Sequence, residues 1–460
     1  MAIVQPRARG RTGTYLNLLR LSCDAIEAPP LSLPIMRKIV TLVYYHPMAR
    51  FFSAIEDAWK QREPDAQFLH LAVFPSAWMY FAMKGRRSIP LSWCALLGSY
   101  AEHHVPDDVL DAAIRFHSAD PNLTPRQHAR LRRQARNTLG LCREVIQDFD
   151  PDVAIISGDT RLPAEALMCA LKGTKTVSWY FEQGPYKTTV LDQKGVNANC
   201  SFREALAQLE PSNDPFDPAP CFPRYANKWY SSVDRLALTQ SKITGLIPPD
   251  LLPYRMRKCP RDRYVQLTSR AMPATPREKV VLLAMQVPED ANNVYHNPLG
   301  LTDVGLLTML LDCGDTSWSI VVREHPLYRR RYSSAFYRTL ADSKHVCLSA
   351  ASLADDLQRT ASTVTVNSMT GLDAFARGHR VVVLGDSFYD HLPGILRARS
   401  LEEMRSHLLA PFDTSSREPA ARLLGPLVKR YFHKGHFHDR DLGFTESIVD
   451  RVIASLPAVA

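Results

Sequence analysis

A chain of 460 residues, 45% of them hydrophobic, is too long for one hydrophobic core, so two domains are expected. Its net charge of +9 indicates an anionic partner such as a nucleotide, a nucleic acid or a membrane surface, without choosing among them. The nine cysteines show neither a CxxC pair nor the Cys/His spacing of a zinc site, which favours reduced thiols in a cytoplasmic protein. No run of 18 apolar residues occurs, so no membrane-spanning segment is expected. The arginines of the first 20 residues are followed by no hydrophobic region with a cleavage site, so no signal peptide is expected either.

The first half of the chain alternates predicted strands with predicted helices. Residues 1–35 are basic and then rich in proline, which indicates an irregular lead-in. Apolar, β-branched runs predict strands over residues 39–45, 67–74, 151–157 and 174–181. Residues 105–149 have helical periodicity, and their arginines are interpreted as a solvated face, with a lipid or polyanion surface as the alternative. The alternation predicts a first α/β domain over residues 36–200.

The second half repeats this pattern after a connector. Prolines accumulate and periodicity weakens over residues 201–277, which indicates a connecting segment. Strands are predicted over residues 279–287, 319–323, 363–366 and 380–384. A second α/β domain is therefore predicted over residues 278–400. C-terminal helices are predicted over residues 401–460, which contain the basic, aromatic segment KRYFHKGHFH at 429–438.

Polar residues stand just past several of these strands. Glu182 does so in the first domain, and Asp290, His325 and Ser368 do so in the second. Ligands of doubly wound sheets bind beyond the carboxyl ends of the strands, so these side chains are expected at a cleft, with a nucleotide on the second domain. The predicted fold class is α/β, with two Rossmann-like domains facing each other across a cleft, an arrangement called GT-B among glycosyltransferases. Each of these residues also has a non-catalytic explanation. Glu182 could be a surface carboxylate, Asp290 a helix N-cap and His325 a structural histidine.

The turn after the strand at residues 363–366 has the chemistry of an anion site. Asn367-Ser368-Met369-Thr370-Gly371 places capping hydroxyls between the carboxyl end of a strand and the amino end of a helix. Unpaired N–H groups and the positive end of the helix dipole are expected there. Asp373 is expected either to accept from an N–H of the first turn or to bind a ribose hydroxyl. An ordinary capped helix in a βαβ unit explains the same residues, and the sequence leaves both interpretations open.

Four motifs in this order resemble the capsule polysaccharide synthesis family of Gram-negative bacteria. They are FEQGPYKTTVLDQKGVN at residues 181–197, QVPED at 286–290, REHP at 323–326 and NSMTGLDAFARGHRVVVLGDSFY at 367–389. Members of the KpsS and KpsC type are retaining β-Kdo transferases that use CMP-Kdo. The first motif looks closer to the KpsS branch, which builds the first Kdo on a phosphatidylglycerol-type lipid.

This resemblance implies roles for individual residues. Asp290 would be the nucleophile that forms a glycosyl-enzyme adduct, and Glu182 would be the acid/base that activates the acceptor hydroxyl, as retention through two displacements requires. The residues implied in binding the CMP donor are His325, Ser368 and Thr370 on the phosphate, Asp373 on the ribose, and Asn367 and Gln286 within the same motifs. No metal and no cofactor is implied, because histidine and hydroxyls can stabilise the single phosphate of CMP, and the CMP-sugar is itself the substrate.

The partners implied are CMP-Kdo, a lipid acceptor at the inner membrane and other capsule assembly proteins, with no nucleic acid. Basic charge without a spanning segment predicts a cytoplasmic protein held peripherally at the inner face of the inner membrane. Several alternatives stay open. The chain could transfer another CMP-activated nonulosonic acid or use another acceptor, or it could be a non-catalytic capsule assembly protein. As a third alternative, the chain could be a basic protein that binds nucleic acid through its arginine helix and residues 429–438.

Overall fold

A computed structural model describes residues 36–98, 105–120, 123–213, 228–244, 258–271, 275–314, 317–411 and 417–457. The strands of these residues are β1 (Lys38–Val43), β2 (Gln67–Ala72), β3 (Ser88–Pro90), β4 (Val153–Ser157), β5 (Val177–Gln183), β6 (Thr188–Asp192), β7 (Val280–Ala284), β8 (Ser319–Arg323), β9 (Val346–Leu348), β10 (Ser362–Thr365), β11 (Arg380–Val383), β12 (Ile395–Arg397) and β13 (His433–Lys434). The helices are α1 (His46–Arg62), α2 (Pro75–Met83), α3 (Leu91–Leu97), α4 (Asp107–Ser118), α5 (Pro125–Phe149), α6 (Leu162–Leu171), α7 (Lys228–Thr244), α8 (Arg261–Thr268), α9 (Ala291–Tyr295), α10 (Asp303–Cys313), α11 (Ser334–Asp342), α12 (Leu353–Arg359), α13 (Met369–Phe375), α14 (Leu401–Leu409), α15 (Arg417–Tyr431) and α16 (Thr445–Ser455).

The first sheet has the strand order β13-β6-β5-β4-β1-β2-β3. Strands β5, β4, β1, β2 and β3 run parallel, and β6 and β13 extend the sheet in antiparallel pairs. Along β1, Ile39 and Val43 belong to the core on one face while Val40 and Leu42 belong to the core on the other. Both faces are thus buried under helices, as is usual for parallel sheets. The strand order reverses between β1 and β4, which is where such sheets bind ligands.

The second sheet is parallel throughout, with the order β12-β11-β10-β7-β8-β9. Its strand order reverses between β7 and β10, so the loops after these two strands meet at one edge. The predicted α/β class with two Rossmann-like domains is confirmed by the two sheets. Their carboxyl edges both border the cavity described below.

The chain returns to the first domain after the second sheet is complete. Residues 401–460 were predicted to be helical, but β13 pairs with β6 in the first sheet, and α16 packs against α1. Phe432 and Phe437 are 8% and 3% exposed, and Phe437 packs against Phe181 in the core of the first domain. Because these aromatic rings are buried, residues 429–438 do not form the exposed stacking surface that the nucleic-acid alternative requires.

The predicted connector contains two helices that belong to different domains. Helix α7 packs against α2 of the first domain, whereas Leu267 of α8 lies in the core of the second. Before α7, Arg203 forms ion pairs with Asp386 at 2.7 Å and with Asp390 at 2.6 Å, and so joins the segment after β6 to the second domain. The predicted lead-in at residues 1–35 lies outside the described residues.

No helix among the described residues is both long enough and apolar enough to cross a lipid bilayer.

Candidate active site

A cavity of about 520 Å³ lies between the carboxyl edges of the two sheets. The first domain contributes Tyr45, Arg161 and Glu182 to its walls, from the loops after β1 and β4 and from the end of β5. The second domain contributes Asp290 and Met369, from the loops after β7 and β10. The wall of the cavity therefore contains both carboxylates that were predicted to be catalytic.

Glu182 is held at the end of β5 with its carboxylate in this cavity. The backbone N–H of Gln183 donates to Oε1 of Glu182 at 2.9 Å, which fixes the carboxylate. The pKa of Glu182 is raised to about 7, chiefly by burial and also by the negative charge of Asp290, while the N–H of Gln183 and the cation of Arg161 oppose the rise. A carboxyl group with a pKa near neutrality can take up and release a proton at cellular pH, which is what general acid/base catalysis needs.

Asp290 occupies the N-cap position of α9, but its side chain caps no backbone N–H. Its Oδ2 instead accepts a hydrogen bond from Nδ2 of Asn292 at 3.3 Å. The preceding Glu289 is buried and accepts hydrogen bonds from the hydroxyl of Tyr328 at 2.7 and 3.0 Å. The two adjacent carboxylates are therefore separated, because Glu289 is a core residue and Asp290 faces the cavity. The helix-cap explanation does not account for the Asp290 side chain.

His325 lies close enough to Asp290 to be affected by its charge. Burial lowers the pKa of His325, and the negative charge of Asp290 partly offsets the fall, so the ring favours the neutral form. Nδ1 of His325 accepts the backbone N–H of Leu327 at 3.3 Å. Since Nδ1 is then the acceptor, the proton of the neutral ring is assigned to Nε2, which can donate to an anionic ligand.

Ser368 and Thr370 flank Met369 at the start of α13. The Oγ of Ser368 accepts the backbone N–H of Thr370 at 3.2 Å, so Ser368 is the N-cap of this short helix. Its own hydroxyl proton stays available to a ligand, because that bond uses the oxygen as the acceptor. Asp373 is half-buried one turn later, where burial raises its pKa and Arg377 opposes the rise. The phosphate and ribose contacts of these three residues stay predictions.

Gln286 and Asn367 join the loops after β7 and β10. Nε2 of Gln286 donates to Oδ1 of Asn367 at 2.6 Å, and the backbone N–H of Asn367 donates to Oε1 of Gln286 at 2.9 Å. The Asn367 amide also donates to the carbonyls of Asn292, His296 and Asp386 at 3.0 to 3.2 Å. These bonds give both residues a positioning role between α9 and the turn at Ser368. Direct contact of either residue with a nucleotide stays a prediction.

Arg161 is a wall residue to which the sequence analysis gave no role. Its guanidinium lies 4.9 Å from the ring centroid of Phe116 and 5.9 Å from that of Tyr44. Among the residues that the structure describes, no carboxylate lies within ion-pair distance of this cation. The charge acts on the cavity nonetheless, because it opposes the rise that burial causes in the pKa of both Glu182 and Tyr45. A charged residue shortly after the strand at 151–157, in GDTR, was the signal that could have identified it.

Tyr186 was also missed, and it links the two halves of the site. Tyr186 and Lys187 have positive φ angles of 53° and 60° at the tip of the β5–β6 hairpin. The Tyr186 hydroxyl donates to the carbonyl oxygen of Leu372 in α13 at 3.4 Å. The hairpin that carries Glu182 is therefore in contact with the helix that follows Ser368.

No group of three or more His, Cys, Asp or Glu side chains suited to a metal ion occurs within the described part of the chain. The expectation that the reaction needs no metal stays a prediction.

Comparison with known proteins gives one family match, to residues 255–434, and the family is described as "Capsule polysaccharide biosynthesis protein". This match contains Asp290, His325 and Ser368 but not Glu182. It agrees with the resemblance that the motifs predicted, and it does not separate the KpsS and KpsC branches. The chain is also similar to Protein FixF of Sinorhizobium fredii (strain NBRC 101917 / NGR234), with 22% identity over 323 residues that cover 69% of each chain.

Two solved structures illustrate the structural similarity. KpsC of Thermosulfurimonas dismutans, titled a β-Kdo 2,7 transferase, is 15% identical with a TM-score of 0.34, and the match covers 58% of this chain and 80% of that one. A glycosyltransferase from Rickettsia africae ESF-5 is 10% identical with a TM-score of 0.35, over 93% of this chain and all of the other.

Proposed function

We propose that this chain is a glycosyltransferase of capsule polysaccharide biosynthesis that transfers Kdo from CMP-Kdo to a lipid acceptor with retention of configuration. The observation that carries the proposal is the pair of carboxylates, Glu182 and Asp290, which face one cavity from opposite domains. The family match of the second domain supports a role in capsule polysaccharide biosynthesis, and the resemblance of the four motifs supports the reaction class and the donor. The acceptor proposed is a (lyso)phosphatidylglycerol-type lipid or a Kdo-lipid.

The proposed reaction has two displacements at the anomeric carbon of the sugar. In the first, a carboxylate oxygen of Asp290 bonds to that carbon while the bond to the CMP phosphate oxygen breaks, and the bonding electrons leave with the phosphate. The Nε2–H of His325 and the hydroxyls of Ser368 and Thr370 stabilise the charge on the departing CMP. The product of this step is a glycosyl ester on Asp290.

In the second displacement, the carboxylate of Glu182 takes the proton of the acceptor hydroxyl. The acceptor oxygen bonds to the anomeric carbon, and the ester bond to Asp290 breaks and restores the free carboxylate. Each displacement inverts the configuration, so the two together retain it. The protonated Glu182 then returns its proton to solvent, which its pKa near 7 permits at neutral pH.

Arg161 fits the acidic donor in this scheme. A ulosonic acid such as Kdo carries a carboxylate on its anomeric carbon, next to the reacting bond. The Arg161 cation lies in the same cavity wall as Glu182 and has no carboxylate partner among the described residues, so we assign it to bind the sugar carboxylate.

Mass analysis of the products tests this function directly. The protein is incubated with CMP-Kdo and a phosphatidylglycerol or Kdo-lipid acceptor, with Asp290→Asn as the matched control. A lipid product heavier by one Kdo in the wild type alone supports the proposal. A product formed only with another CMP-activated nonulosonic acid would change the donor, and CMP binding without any transfer would indicate a non-catalytic capsule assembly protein.

A further inference from the structure

One residue of the cavity wall has an uncommon backbone conformation. Asn197 lines the cavity, and its φ angle is 54°. A residue other than glycine seldom adopts a positive φ, and such a residue persists only where the surrounding contacts hold it. The side chain of Asn197 is half-buried, and its amide forms no hydrogen bond with any residue that the structure describes. The cavity wall therefore contains a carboxamide whose donors and acceptor are open to a ligand.

A buried carboxylate holds the backbone on both sides of Asn197. Oδ2 of Asp159, which follows β4, accepts the backbone N–H of Val196 and Nδ2 of Asn199, both at 2.9 Å. A Cβ atom at Gly195 would lie 2.7 Å from this oxygen, so the close approach of the backbone requires glycine there. The residues directly before Asn197 and shortly after it are thus fixed to the first domain.

The same loop is also attached to the second domain. Nη1 of Arg203 donates to the carbonyl oxygen of Ala198 at 3.4 Å, and the Arg203 guanidinium forms ion pairs with Asp386 and Asp390. Asn197 is therefore held between a carboxylate of the first domain and a cation anchored to the second. Several independent contacts that maintain one uncommon conformation beside a cavity favour a function for the side chain.

The chemistry of the Asn197 side chain indicates what it can bind. The carboxamide is neutral, whereas Arg161, Glu182 and Asp290 supply charges in the cavity wall. Nδ2 donates two hydrogen bonds, and Oδ1 accepts them. Two neighbouring hydroxyls of a sugar each donate and accept, so they match a carboxamide in both directions. A phosphate or a carboxylate only accepts and would leave Oδ1 without a partner.

We propose that Asn197 is a substrate-binding residue whose carboxamide holds a pair of neighbouring hydroxyls of the substrate. This inference deepens the proposed function, on which it rests for the presence of a sugar in the cavity. Such a pair occurs in the ring of Kdo and also in the glycerol headgroup of phosphatidylglycerol, so either the donor or the acceptor can supply it. Asp159 is then a positioning residue, because it acts through the loop that carries Asn197.

Three variants separate the side chain of Asn197 from its backbone. Asn197→Gly removes the amide but suits the positive φ, so kcat/KM for transfer should fall by roughly tenfold or more while the urea midpoint of unfolding stays or rises. Asn197→Ala should lower kcat/KM equally and also lower the midpoint, because alanine disfavours this φ. Asp150→Gly is the matched control, because Asp150 has a φ of 46° at the end of α5 and should transfer like the wild type.

Substrate analogues identify which molecule carries the hydroxyl pair. The first arm compares CMP-Kdo with an analogue that lacks one ring hydroxyl. The second arm compares phosphatidylglycerol with a lipid whose headgroup has a single hydroxyl. In one of these arms the wild type should prefer the intact substrate by about tenfold, and Asn197→Gly should lose this preference. A loss in the first arm assigns the pair to the donor, and a loss in the second arm assigns it to the acceptor.

Wild-type kinetics in Asn197→Gly would overturn the inference, as would equal preferences of the variant and the wild type in both arms. If Asn197→Gly loses transfer and its unfolding midpoint falls as far as that of Asn197→Ala, the residue is structural and the inference also fails. The proposed function fails by a different result, the absence of transfer by the wild type. The affinities for CMP-Kdo and for the lipids need no transfer, and they are then compared in the same two arms.

Discussion

Asp290 raises the pKa of Glu182 from across the cavity, although the two carboxylates belong to different domains and are separated by more than one hundred residues of sequence. The cation of Arg161, which lies in the same domain as Glu182, opposes this rise in pKa. The protonation of the proposed acid/base is therefore set by both domains together. This relationship makes the pH dependence of the protein a direct probe of the site.

The first prediction concerns the pH dependence of the acceptor step. If Glu182 is the base, the rate of transfer should rise as pH increases through about 7, because only the deprotonated carboxylate can take the acceptor proton. Asp290→Asn should lower the Glu182 pKa and Arg161→Ala should raise it. Titration of the Glu182 carboxyl by carbon-13 NMR in each variant measures both shifts. A shift of the opposite sign in either variant would mean that Asp290 or Arg161 does not act on the Glu182 carboxyl in this way.

A second prediction follows from the same pKa and concerns stability. Glu182 has a folded-state pKa of about 7 against an ordinary value of 4.5, so the folded state binds the proton more tightly than the unfolded state. The wild type should therefore lose stability as pH rises from about 4.5 to 7, relative to Glu182→Gln. Urea unfolding of both proteins should show the variant as the more stable one above pH 7 and no difference near pH 4. A constant difference across this range would contradict the raised pKa.

The third prediction separates the catalytic roles proposed for the two carboxylates. Asp290→Asn should lower transfer by several orders of magnitude while CMP affinity is kept, because Asp290 is proposed to contact the sugar and not the nucleotide. Glu182→Gln should slow the acceptor step by roughly 10²- to 10⁴-fold and let a Kdo adduct accumulate on Asp290. Intact-protein mass spectrometry after incubation with CMP-Kdo detects the adduct. A fully active Asp290→Asn variant, or an inverted product, would exclude the double displacement.

The fourth prediction tests the nucleotide contacts. His325→Ala and Ser368→Ala should each weaken CMP binding by roughly 1.5 to 3 kcal/mol, the usual contribution of a hydrogen bond to a charged group. Ser352→Ala is a matched control, because Ser352 is likewise the N-cap of a short helix, α12, in the same domain. It should cost about 1 kcal/mol of stability and leave CMP affinity unchanged. Titration calorimetry with CMP, and with UDP for comparison, gives the result.

The fifth prediction concerns the sugar carboxylate. Arg161→Ala should raise KM for an acidic donor by about tenfold or more, and Arg161→Lys should recover part of the loss. Arg133→Ala removes the same charge from an exposed position on α5 and should leave KM unchanged. An equal rise in both alanine variants would mean that net charge, and not Arg161, attracts the donor.

The sequence was sufficient to predict the strands that position the site. Strand β8 begins at Ser319 and ends at Arg323 as predicted, and β2, β4, β7 and β11 lie within the predicted runs. Strands β1, β5 and β10 overlap the predicted runs and extend one or two residues beyond one end of them. These strands are recognisable because they are buried on both faces and so have continuous apolar sequences. Since parallel strands end at one edge, the residues after them could be placed at a cleft, and Glu182 and Asp290 both line it.

Other parts of the site depend on contacts that no local pattern contains. Tyr186 and Leu372 are 186 positions apart, and only the packing of the two domains brings them together. The antiparallel strands β6 and β13 are short, and β13 pairs with residues more than two hundred positions earlier. The sequence of β13 was therefore interpreted as part of a basic segment and not as a strand. Arg161 belongs to no motif that assigns it a role. It could be recognised as a candidate ligand-binding cation only from the structure, in which it lines the cavity without a carboxylate partner among the described residues.

The return of the chain to the first domain restricts how the domains can move. The polypeptide passes to the second domain between α7, which packs against α2 of the first domain, and α8, whose Leu267 lies in the core of the second, and it comes back between α15 and β13. Two covalent crossings leave mainly a hinge rotation about the line that joins them, whereas sliding or detachment would strain one crossing. Such a rotation changes the separation of Glu182 and Asp290. The distance between the two proposed catalytic carboxylates would then depend on one angle, the rotation about this hinge.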